Sequence, residues 1–518
     1  MKINIIGAGV AGLSAGCYLQ MNGFETEIFE KHSTFGGLCT SWQRNGYTFE
    51  SGLQWLLGSS ESNPFYQLWS ELIDMKSIRF VHHEVRMDIE VKETADIFGN
   101  KIFHLYTNLG MLEKYMLAIA PEDASPISDL ICTMRRMQSY EIPPMIKLMP
   151  QLLPWHQKIR FIKHLPLLVF LNRIKKETNF TYAGKLKNPF LKEAFRLLFD
   201  GDEMPLLILT LPLAFNDLRG TGYPVGGSAV LVGNIEQKYI ELGGKIRYLS
   251  AVEKITVNNH RATGIRLAGG ETVPSDITIS AADWNFTIFN ALEGMYVDKT
   301  ILKLHSQERL KVYFSVFMVS LGVAASFANH PHFLRFPLQA SLVSPDGTTY
   351  ERMEVHINNY DPTLAPEGKT VVSISYYTMN ASYWIDLRRS DPARYESEKQ
   401  KFGRMMIDLA DARFGGLKEN IEVVDIATPA TFERYTGNWN GSVQGWLPGK
   451  NIIAQSPVKS ELPGLKNFYF AGHWTNPGGG LPVAIKSARD VAQMICYKKK
   501  VPFLKTDSSR SLSKITLP

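Results

Sequence analysis

Two glycine-rich segments near opposite ends of the chain have the residue types and spacing to hold one phosphate-bearing ligand. The first is GAGVAG at residues 7–12, directly after the apolar residues 3–6. In a GxGxxG pattern the first glycine permits a tight turn, the second lets the backbone approach a pyrophosphate, and the third lets a helix pack closely on a strand. This pattern predicts a dinucleotide at the amino end of a helix, with the candidate contacts Gly7, Gly9, Val10, Ala11 and Gly12.

An acidic residue follows at the position that a ribose would require. The predicted strand Glu25–Phe29 ends at Glu30, which lies 18 positions after Gly12. Its carboxylate can accept hydrogen bonds from ribose hydroxyls, and the neighbouring Lys31 is a further candidate contact. A glycine fingerprint alone is weak evidence. The preceding strand, the following helix and the acid together favour a dinucleotide site over an accidental turn.

The second glycine-rich segment distinguishes FAD from NAD, which the first cannot do because both cofactors carry adenosine diphosphate. Gly36 and Gly37 provide a second backbone turn along the pyrophosphate. Residues 478–480 are three glycines before a predicted helix that reaches about Cys496. A helix amino end near the flavin pyrimidine ring would stabilise the negative charge of reduced flavin. The cofactor predicted is FAD, with the further candidate contacts Gly36, Gly37, Leu38, Val252, Gly472, His473, Gly480, Leu481, Pro482 and Val483.

The elements that must position these residues alternate between strand and helix. Residues 223–228, YPVGGS, precede a predicted helix, and short strand-like runs follow as far as Ser280. The predicted class is α/β: a discontinuous Rossmann-type FAD-binding domain, like that of glutathione reductase or amine oxidases, with an α+β substrate domain. The ranges assigned are 1–58, 220–283 and 455–500 for the FAD domain, 59–219 and 284–454 for the substrate domain, and 501–518 for a flexible tail.

Composition sets the remaining bounds. The 518 residues include 56 basic and 50 acidic side chains, and a formal charge of +6 gives no argument for nucleic acid. The four cysteines are far apart and lack CxxC spacing, so neither a disulfide framework nor a zinc site is predicted. No stretch approaches the roughly 20 apolar residues that cross a bilayer. We therefore expect a cytoplasmic protein, either soluble or peripheral at the inner face of a membrane.

One stretch favours membrane contact. Between Lys147 and Arg196 there are 11 lysines and arginines against two glutamates, interleaved with apolar residues. This composition is typical of a segment that lies in the bilayer interface, where each basic residue near an anionic leaflet contributes about 1 kcal/mol. The alternative is a helical subdomain with a solvated basic face. Residues 143–199 are predicted to contact a membrane.

The chain resembles the phytoene desaturase-related family of flavoproteins, which includes carotenoid desaturases, carotenoid isomerases and retinol saturases. The resemblance is carried by residues 7–12 with Glu30, 36–38, 46–52, 223–227, 428–442 and 472–482. It implies hydride transfer between a lipophilic polyene or isoprenoid and flavin N5, in a long apolar tunnel with few catalytic side chains. The chain departs from many relatives at Leu38, where they carry arginine, and from many flavoproteins at His473, where they carry an acid.

Two other functions use the same fold or cofactor. A flavin amine oxidase would oxidise a C–N bond in a more polar cavity, and a non-catalytic protein would hold flavin and lipid without redox change.

No catalytic residue and no metal site are assigned. The histidines at 82, 83, 330 and 332 are interpreted as surface or loop features, because no acids or cysteines stand nearby at ligand spacing. His473 either donates to a cofactor oxygen or packs.

Overall fold

The structure, a computed structural model, describes residues 1–139, 165–174, 177–199, 204–449 and 458–505. The strands in these ranges are β1 (Lys2–Ile6), β2 (Glu25–Phe29), β3 (Ser41–Arg44), β4 (Tyr47–Glu50), β5 (Leu56–Leu57), β6 (Phe80–Val81), β7 (Val85–Glu90), β8 (Ile102–Tyr106), β9 (Thr221–Pro224), β10 (Lys245–Arg247), β11 (Val252–Asn258), β12 (Arg261–Leu267), β13 (Thr272–Pro274), β14 (Ile277–Ser280), β15 (Ser315–Val323), β16 (Phe333–Val343), β17 (Thr349–Ile357), β18 (Thr370–Thr378), β19 (Ile421–Ala427) and β20 (Phe468–Phe470).

The α-helices in the same ranges are α1 (Val10–Met21), α2 (Tyr66–Ser70), α3 (Leu109–Ile119), α4 (Ala124–Ser139), α5 (Leu165–Ile174), α6 (Asn179–Lys185), α7 (Pro189–Arg196), α8 (Leu207–Asp217), α9 (Gly227–Glu241), α10 (Lys299–His305), α11 (Ala381–Ser390), α12 (Pro392–Phe414), α13 (Pro429–Thr436) and α14 (Gly480–Lys498).

A five-stranded parallel sheet forms the centre of the nucleotide-binding part. Its strand order is β10-β2-β1-β14-β20, and every neighbouring pair is parallel. Strands β1 and β14 are buried along almost their whole length. Their isoleucines alternate with the buried polar residues Asn4, Thr278 and Ser280, and both faces are buried because helices cover both faces of a parallel sheet. The first and last helices, α1 and α14, pack against each other, which brings the two ends of the chain together.

A larger mixed sheet forms the second part. Its order is β19-β15-β18-β17-β16-β7-β8, with antiparallel neighbours except for the parallel pair β16 and β7. One face packs on α11 and α12 through a core that includes Phe317, Ile374 and Trp384. The helices α3 to α8 pack around strands β7 and β8 through a separate apolar core. Residues 315–317 and 373–376, which are rich in aromatic and β-branched side chains, lie in β15 and β18.

The structure moves three of the expected domain boundaries. Residues 66–78 pack into the core of the parallel sheet, where Trp69 is fully buried, so the first nucleotide-binding segment continues past 58. Residues 284–312 pack against β11–β13 through Trp284 and Ile301, so the second segment continues past 283. Phe503 is 1% exposed, so the chain is still packed beyond residue 500. Apolar side chains decided these boundaries, because they bury against the nearest available core.

Part of the predicted membrane-contacting stretch lies outside the described residues. Residues 143–164, 175–176 and 506–518 belong to the ranges that the structure does not describe, so part of the predicted tail also falls there. In the described ranges, every helix is too short or too polar to cross a membrane.

Candidate cofactor and substrate site

The turn between β1 and α1 has the close packing that the glycine fingerprint predicts. Gly7 adopts φ +98°, and its N–H donates to the Phe29 carbonyl oxygen at 2.8 Å. A Cβ on Gly12 would lie 1.9 Å from the Gly7 carbonyl oxygen, so only glycine lets α1 sit this close to the turn. Gly9 is the N-cap of α1 and provides no side-chain cap. The first N–H groups of this helix are therefore available to an anion.

Glu30 ties this turn to the end of β2. Its side chain is 7% exposed. Oε2 accepts a hydrogen bond from the Ala8 N–H at 2.7 Å, and Oε1 accepts one from the His32 N–H at 2.8 Å. Each carboxylate oxygen keeps a further lone pair. The carboxylate is thus fixed by the backbone and can still accept from hydroxyl groups of a ligand.

A second glycine turn lies directly against the first. Gly36 adopts φ +110°, and its N–H donates to the Ala8 carbonyl oxygen at 2.9 Å. Gly9 and Gly36 form a parallel β-bridge. A Cβ on Gly36 would lie 2.4 Å from the Cys39 carbonyl oxygen, so the turn requires glycine. The two turns form one continuous backbone surface, as predicted for a pyrophosphate site.

The C-terminal glycines begin α14 without a side-chain cap. Gly478, Gly479 and Gly480 all have positive φ. A Cβ on Gly479 would lie 1.9 Å from the Gln444 carbonyl oxygen, so a loop of the second part presses on this turn. Pro482 lies in the first turn of the helix, where its missing N–H has no cost. This gives the site a second helix amino end with unpaired N–H groups.

His473 has an unpaired buried nitrogen. Its Nε2 is buried and has no hydrogen-bond partner among the described residues. Burial lowers the pKa of His473 to about 4, so the imidazole is neutral near pH 7. A buried polar atom without a partner is costly. Nε2 has almost no accessible surface, so a ligand oxygen would pair with it only if the ring turned toward the cavity.

One cavity of about 930 Å³ joins these features. It is lined by every predicted cofactor contact except Gly12 and Val483. Gly12 instead packs on the turn beneath. Two bare helix ends, two glycine turns, a fixed carboxylate and an unpaired imidazole thus face one space, and this set fits a dinucleotide.

The rest of the cavity wall comes from the second part of the molecule. Its apolar lining includes Trp55, Leu207, Ile208, Leu211, Tyr223, Tyr313, Val316, Met318, Tyr360, Leu364 and Tyr377. The aromatic side chains after residue 280 that line the cavity include Phe286, Tyr313 and Tyr377. Trp284, Trp384 and Trp446 are buried in cores. The alternation of side chains along β15 and β18 decides which aromatic residue reaches the cavity.

Two buried acids line the cavity and were not predicted. Burial raises the pKa of Glu50 to about 7, and its Oε2 accepts from the Ser228 N–H at 3.1 Å at the start of α9. Burial raises the pKa of Asp283 to about 6, and its carboxylate accepts from the N–H groups of Phe286 and Trp439. Asp283 follows β14, and the carboxyl ends of parallel strands are where such sheets bind ligands. That signal could have identified it.

His83 and His332 lie in loops, as the sequence interpretation allowed, but neither side chain is exposed at the surface. Their rings stack with centroids 3.5 Å apart, and His332 lines the cavity. Burial lowers the pKa of His83 to about 4 and of His332 to about 2. Residues 249 positions apart in sequence meet because β16 begins beside the segment that follows β6. Neither spacing nor composition signals such a contact.

Comparisons with known proteins agree with this geometry. The family described as flavin containing amine oxidoreductase matches residues 10–496. A 4,4'-diapophytoene desaturase (4,4'-diapolycopene-forming) of Methylomonas sp is 24% identical over 514 residues, which cover 97% of this chain and 96% of the relative. Prolycopene isomerase 2, chloroplastic, of an Oncidium hybrid cultivar is 24% identical and covers 96% and 85%.

A solved oxidoreductase from Methanosarcina mazei has the same fold. It superposes with a TM-score of 0.60 at 17% identity, over 95% of this chain and 100% of that one. These matches confirm the Rossmann-type FAD-binding fold and the resemblance to phytoene desaturase-related flavoproteins that the motifs predicted.

Proposed function

This chain belongs to the flavin-containing amine oxidoreductase family, and from that premise we propose that it is an FAD-dependent oxidoreductase of lipophilic polyenes or isoprenoids. The reaction is a desaturation, a saturation or an isomerisation of the substrate. The observation that carries the proposal is the single cavity, in which the glycine-lined half continues into a wall of apolar side chains. The names of the two relatives, a desaturase and an isomerase of polyenes, support it.

The residues that would hold FAD are those that converge on the cavity. Glu30 would accept the ribose hydroxyls, and the N–H groups after Gly9 and Gly36 would face the pyrophosphate. The start of α14 and Nε2 of His473 would face the flavin end. When bound, FAD supplies the hydride acceptor or donor.

The apolar half would bind the substrate and exclude water. Helix α8 contributes Leu207, Ile208, Leu211 and Pro212 to the lining, and Leu211 is 39% exposed. The cavity therefore reaches the surface beside an apolar helix, where a lipophilic molecule can enter. Tyr313, Val316 and Tyr377 form the wall further inside and would orient a flat polyene.

The visible spectrum of the purified holoprotein tests this proposal. We expect oxidised flavin to bleach after anaerobic addition of a polyene in liposomes, if the reaction is a desaturation. For saturation or isomerisation, the polyene should change only after dithionite has reduced the flavin. A flavin that responds to neither treatment would contradict the proposal. Hydrogen peroxide released on addition of an amine would support an amine oxidase instead.

Membrane contact through residues 143–199 is a further part of the proposal. The exposed apolar side chains of Val169, Phe180 and Leu211 lie in or near the same segment of the chain. The protein should pellet with anionic liposomes and not with neutral ones. A variant with glutamine in place of six basic residues should no longer pellet with anionic liposomes. The six residues are Lys158, Arg160, Lys163, Arg173, Lys175 and Lys176. Unchanged pelleting of this variant would contradict membrane contact through the segment.

A further inference from the structure

The sheet wall of the cavity changes from apolar to polar along its strands. In the register of β15 and β18, Val316 pairs with Tyr377, Met318 with Ser375, and Ser320 with Ser373. On the next strand, β17, His356 pairs with Ser373. Alternate residues of a strand point to the same face of the sheet. The side chains of these residue pairs therefore lie on the face that lines the cavity. We call Val316 with Tyr377 the apolar row, and Ser373 with His356 the polar row.

The polar row lies far from the cofactor half of the cavity. Tyr313, just before β15, donates its N–H to the Gly445 carbonyl oxygen at 2.7 Å, and a Cβ on Gly445 would lie 2.9 Å from the His473 ring. The apolar row is therefore the one nearer to His473. Four residues separate Val316 from Ser320, which at roughly 3.3 Å per residue is about 13 Å. A group bound at the polar row is thus about 13 Å from the apolar row, measured along the strands.

His356 is held with one ring nitrogen available. Its Nε2 lies 2.9 Å from Gln54 Nε2 and 3.0 Å from Glu354 Oε1. Glu354 is itself fixed by a buried ion pair with Arg335. Nε2 either donates to Glu354 Oε1 or accepts from the Gln54 amide, depending on the tautomer, and no described residue bonds the other nitrogen, Nδ1. Since His356 lines the cavity, Nδ1 can donate to or accept from a ligand oxygen, depending on the tautomer.

Other polar groups close the same end of the cavity. Tyr223 Oη lies 3.3 Å from His332 Nε2, and both residues line the cavity with Tyr360. Burial keeps His332 neutral by lowering its pKa and keeps both tyrosines protonated by raising theirs. Among the described residues that line the cavity, the only lysine or arginine is Lys31, in the cofactor half. The acids Glu50 and Asp361 line the cavity near Tyr360, and Arg86 lies behind the lining, over the Trp55 ring. This end therefore suits a neutral oxygen better than a carboxylate, which the two acids would oppose.

We propose that Gln54, Tyr223, His332, His356 and Tyr360 bind a hydroxyl or carbonyl oxygen of the substrate. This inference rests on the proposed function and makes its substrate an oxygen-bearing polyene or isoprenoid rather than a pure hydrocarbon. The five residues are positioning residues. They anchor the oxygen at the polar row and thereby select which carbon atoms lie near the apolar row. A hydrocarbon of the same length would leave Nδ1 of His356 without a partner.

Binding of a matched set of polyenes tests the inference. The set is a hydrocarbon, its terminal alcohol and its terminal aldehyde, added anaerobically to the holoprotein, with the dissociation constant taken from quenching of tryptophan fluorescence. We expect an oxygenated member to bind about tenfold more tightly than the hydrocarbon, as one or two hydrogen bonds would give. The variants His356→Phe and Gln54→Leu should remove this preference while leaving hydrocarbon binding and flavin absorbance unchanged. KM for the oxygenated substrate should rise more than kcat falls.

The control is His330→Phe, the same substitution at a histidine that does not line the cavity. The His330→Phe variant should prefer the oxygenated polyenes over the hydrocarbon by the same factor as the wild type. Equal affinity of the wild type for all three polyenes would overturn the inference, and polyene-dependent flavin bleaching would leave the proposed function standing. Equal loss of all three ligands in both variants would also overturn it, because it indicates a structural role. Tight oxygen-dependent binding without any flavin response would instead overturn the proposed reaction.

Discussion

Glu30 organises the nucleotide turn through two backbone hydrogen bonds. One oxygen holds the Ala8 N–H inside the glycine turn, and the other holds the His32 N–H beyond β2. Glutamine at this position would present an NH2 group to one of two N–H donors. The carboxylate is therefore required for the shape of the turn.

The variant Glu30→Gln should bind FAD about 10- to 100-fold more weakly, because charge-assisted hydrogen bonds contribute about 1.5–3 kcal/mol. The dissociation constant can be measured by flavin fluorescence on reconstitution of the apoprotein. Glu25→Gln, at an exposed position of β2, is the control and should bind normally. Equal affinity of the two variants would show that Glu30 does not contact the cofactor.

The titration of Glu50 should be visible in the stability of the protein. Burial raises its pKa to about 7 from the ordinary 4.5, so the folded protein binds this proton more tightly than the unfolded chain. The resulting stabilisation is fully present below about pH 4.5 and is lost as the pH rises through about 7.

The variant Glu50→Gln should therefore lose less stability than the wild type between pH 5 and pH 8. The difference should be on the order of 2–3 kcal/mol, since one pKa unit corresponds to about 1.4 kcal/mol. Thermal unfolding at the two pH values measures it, with Glu25→Gln again as control. Parallel pH profiles of wild type and Glu50→Gln would contradict the raised pKa.

At the scale of elements, the distance between α1 and β1 depends on a missing side chain. A Cβ on Gly12 would lie 1.9 Å from the Gly7 carbonyl oxygen, so any other residue must move the helix. The helix positions the N–H groups that face the cavity, and the same shift would move them. Packing and cofactor binding are coupled at this contact.

The variant Gly12→Ala should lower Tm and purify without bound flavin. The matched control is Gly184→Ala in α6, where a Cβ would meet nothing within 4 Å. That control should raise stability by up to about 1 kcal/mol, because alanine is the better helix former. Tm and the ratio of flavin absorbance to protein absorbance measure both effects. Normal flavin content in Gly12→Ala would show that the close contact is dispensable.

At the scale of the whole molecule, a buried ion pair joins the first and last segments of the chain. Arg489 of α14 donates to Glu71, which directly follows α2, with Nε to Oε2 at 2.6 Å. Their side chains are 1% and 10% exposed. Tyr18 of α1 donates to the same carboxylate at 2.9 Å. Three helices that carry or support the two glycine segments thus share one carboxylate.

The variant Glu71→Gln should destabilise the protein by about 3–5 kcal/mol, because it removes the negative charge from a buried ion pair. Asp408→Asn is the control. It breaks the exposed pair with Lys418 and should cost less than about 1 kcal/mol. Thermal unfolding of the holoprotein compares them. Similar Tm values for the two variants would contradict a stabilising role for the buried pair.

The sequence by itself determined the local structure of the proposed cofactor half of the cavity. A turn, a helix start and an acid at the end of a strand depend on neighbours within a few residues, so Gly7 to Gly12, Glu30 and the start of α14 could be read from local pattern. The boundaries of the nucleotide-binding domain could not be predicted from local pattern. Residues 66–78 pack into its core through apolar side chains that belong to no motif.

The substrate half was decided by tertiary structure alone. His83 and His332 meet across 249 positions, and His356 faces the cavity only because of its register with Ser373 on β18. The choice of which aromatic side chain lines the cavity and which fills a core depends on strand pairing in the same way. Local sequence sets which face of a strand a residue occupies relative to its neighbours, but long-range packing sets what that face meets.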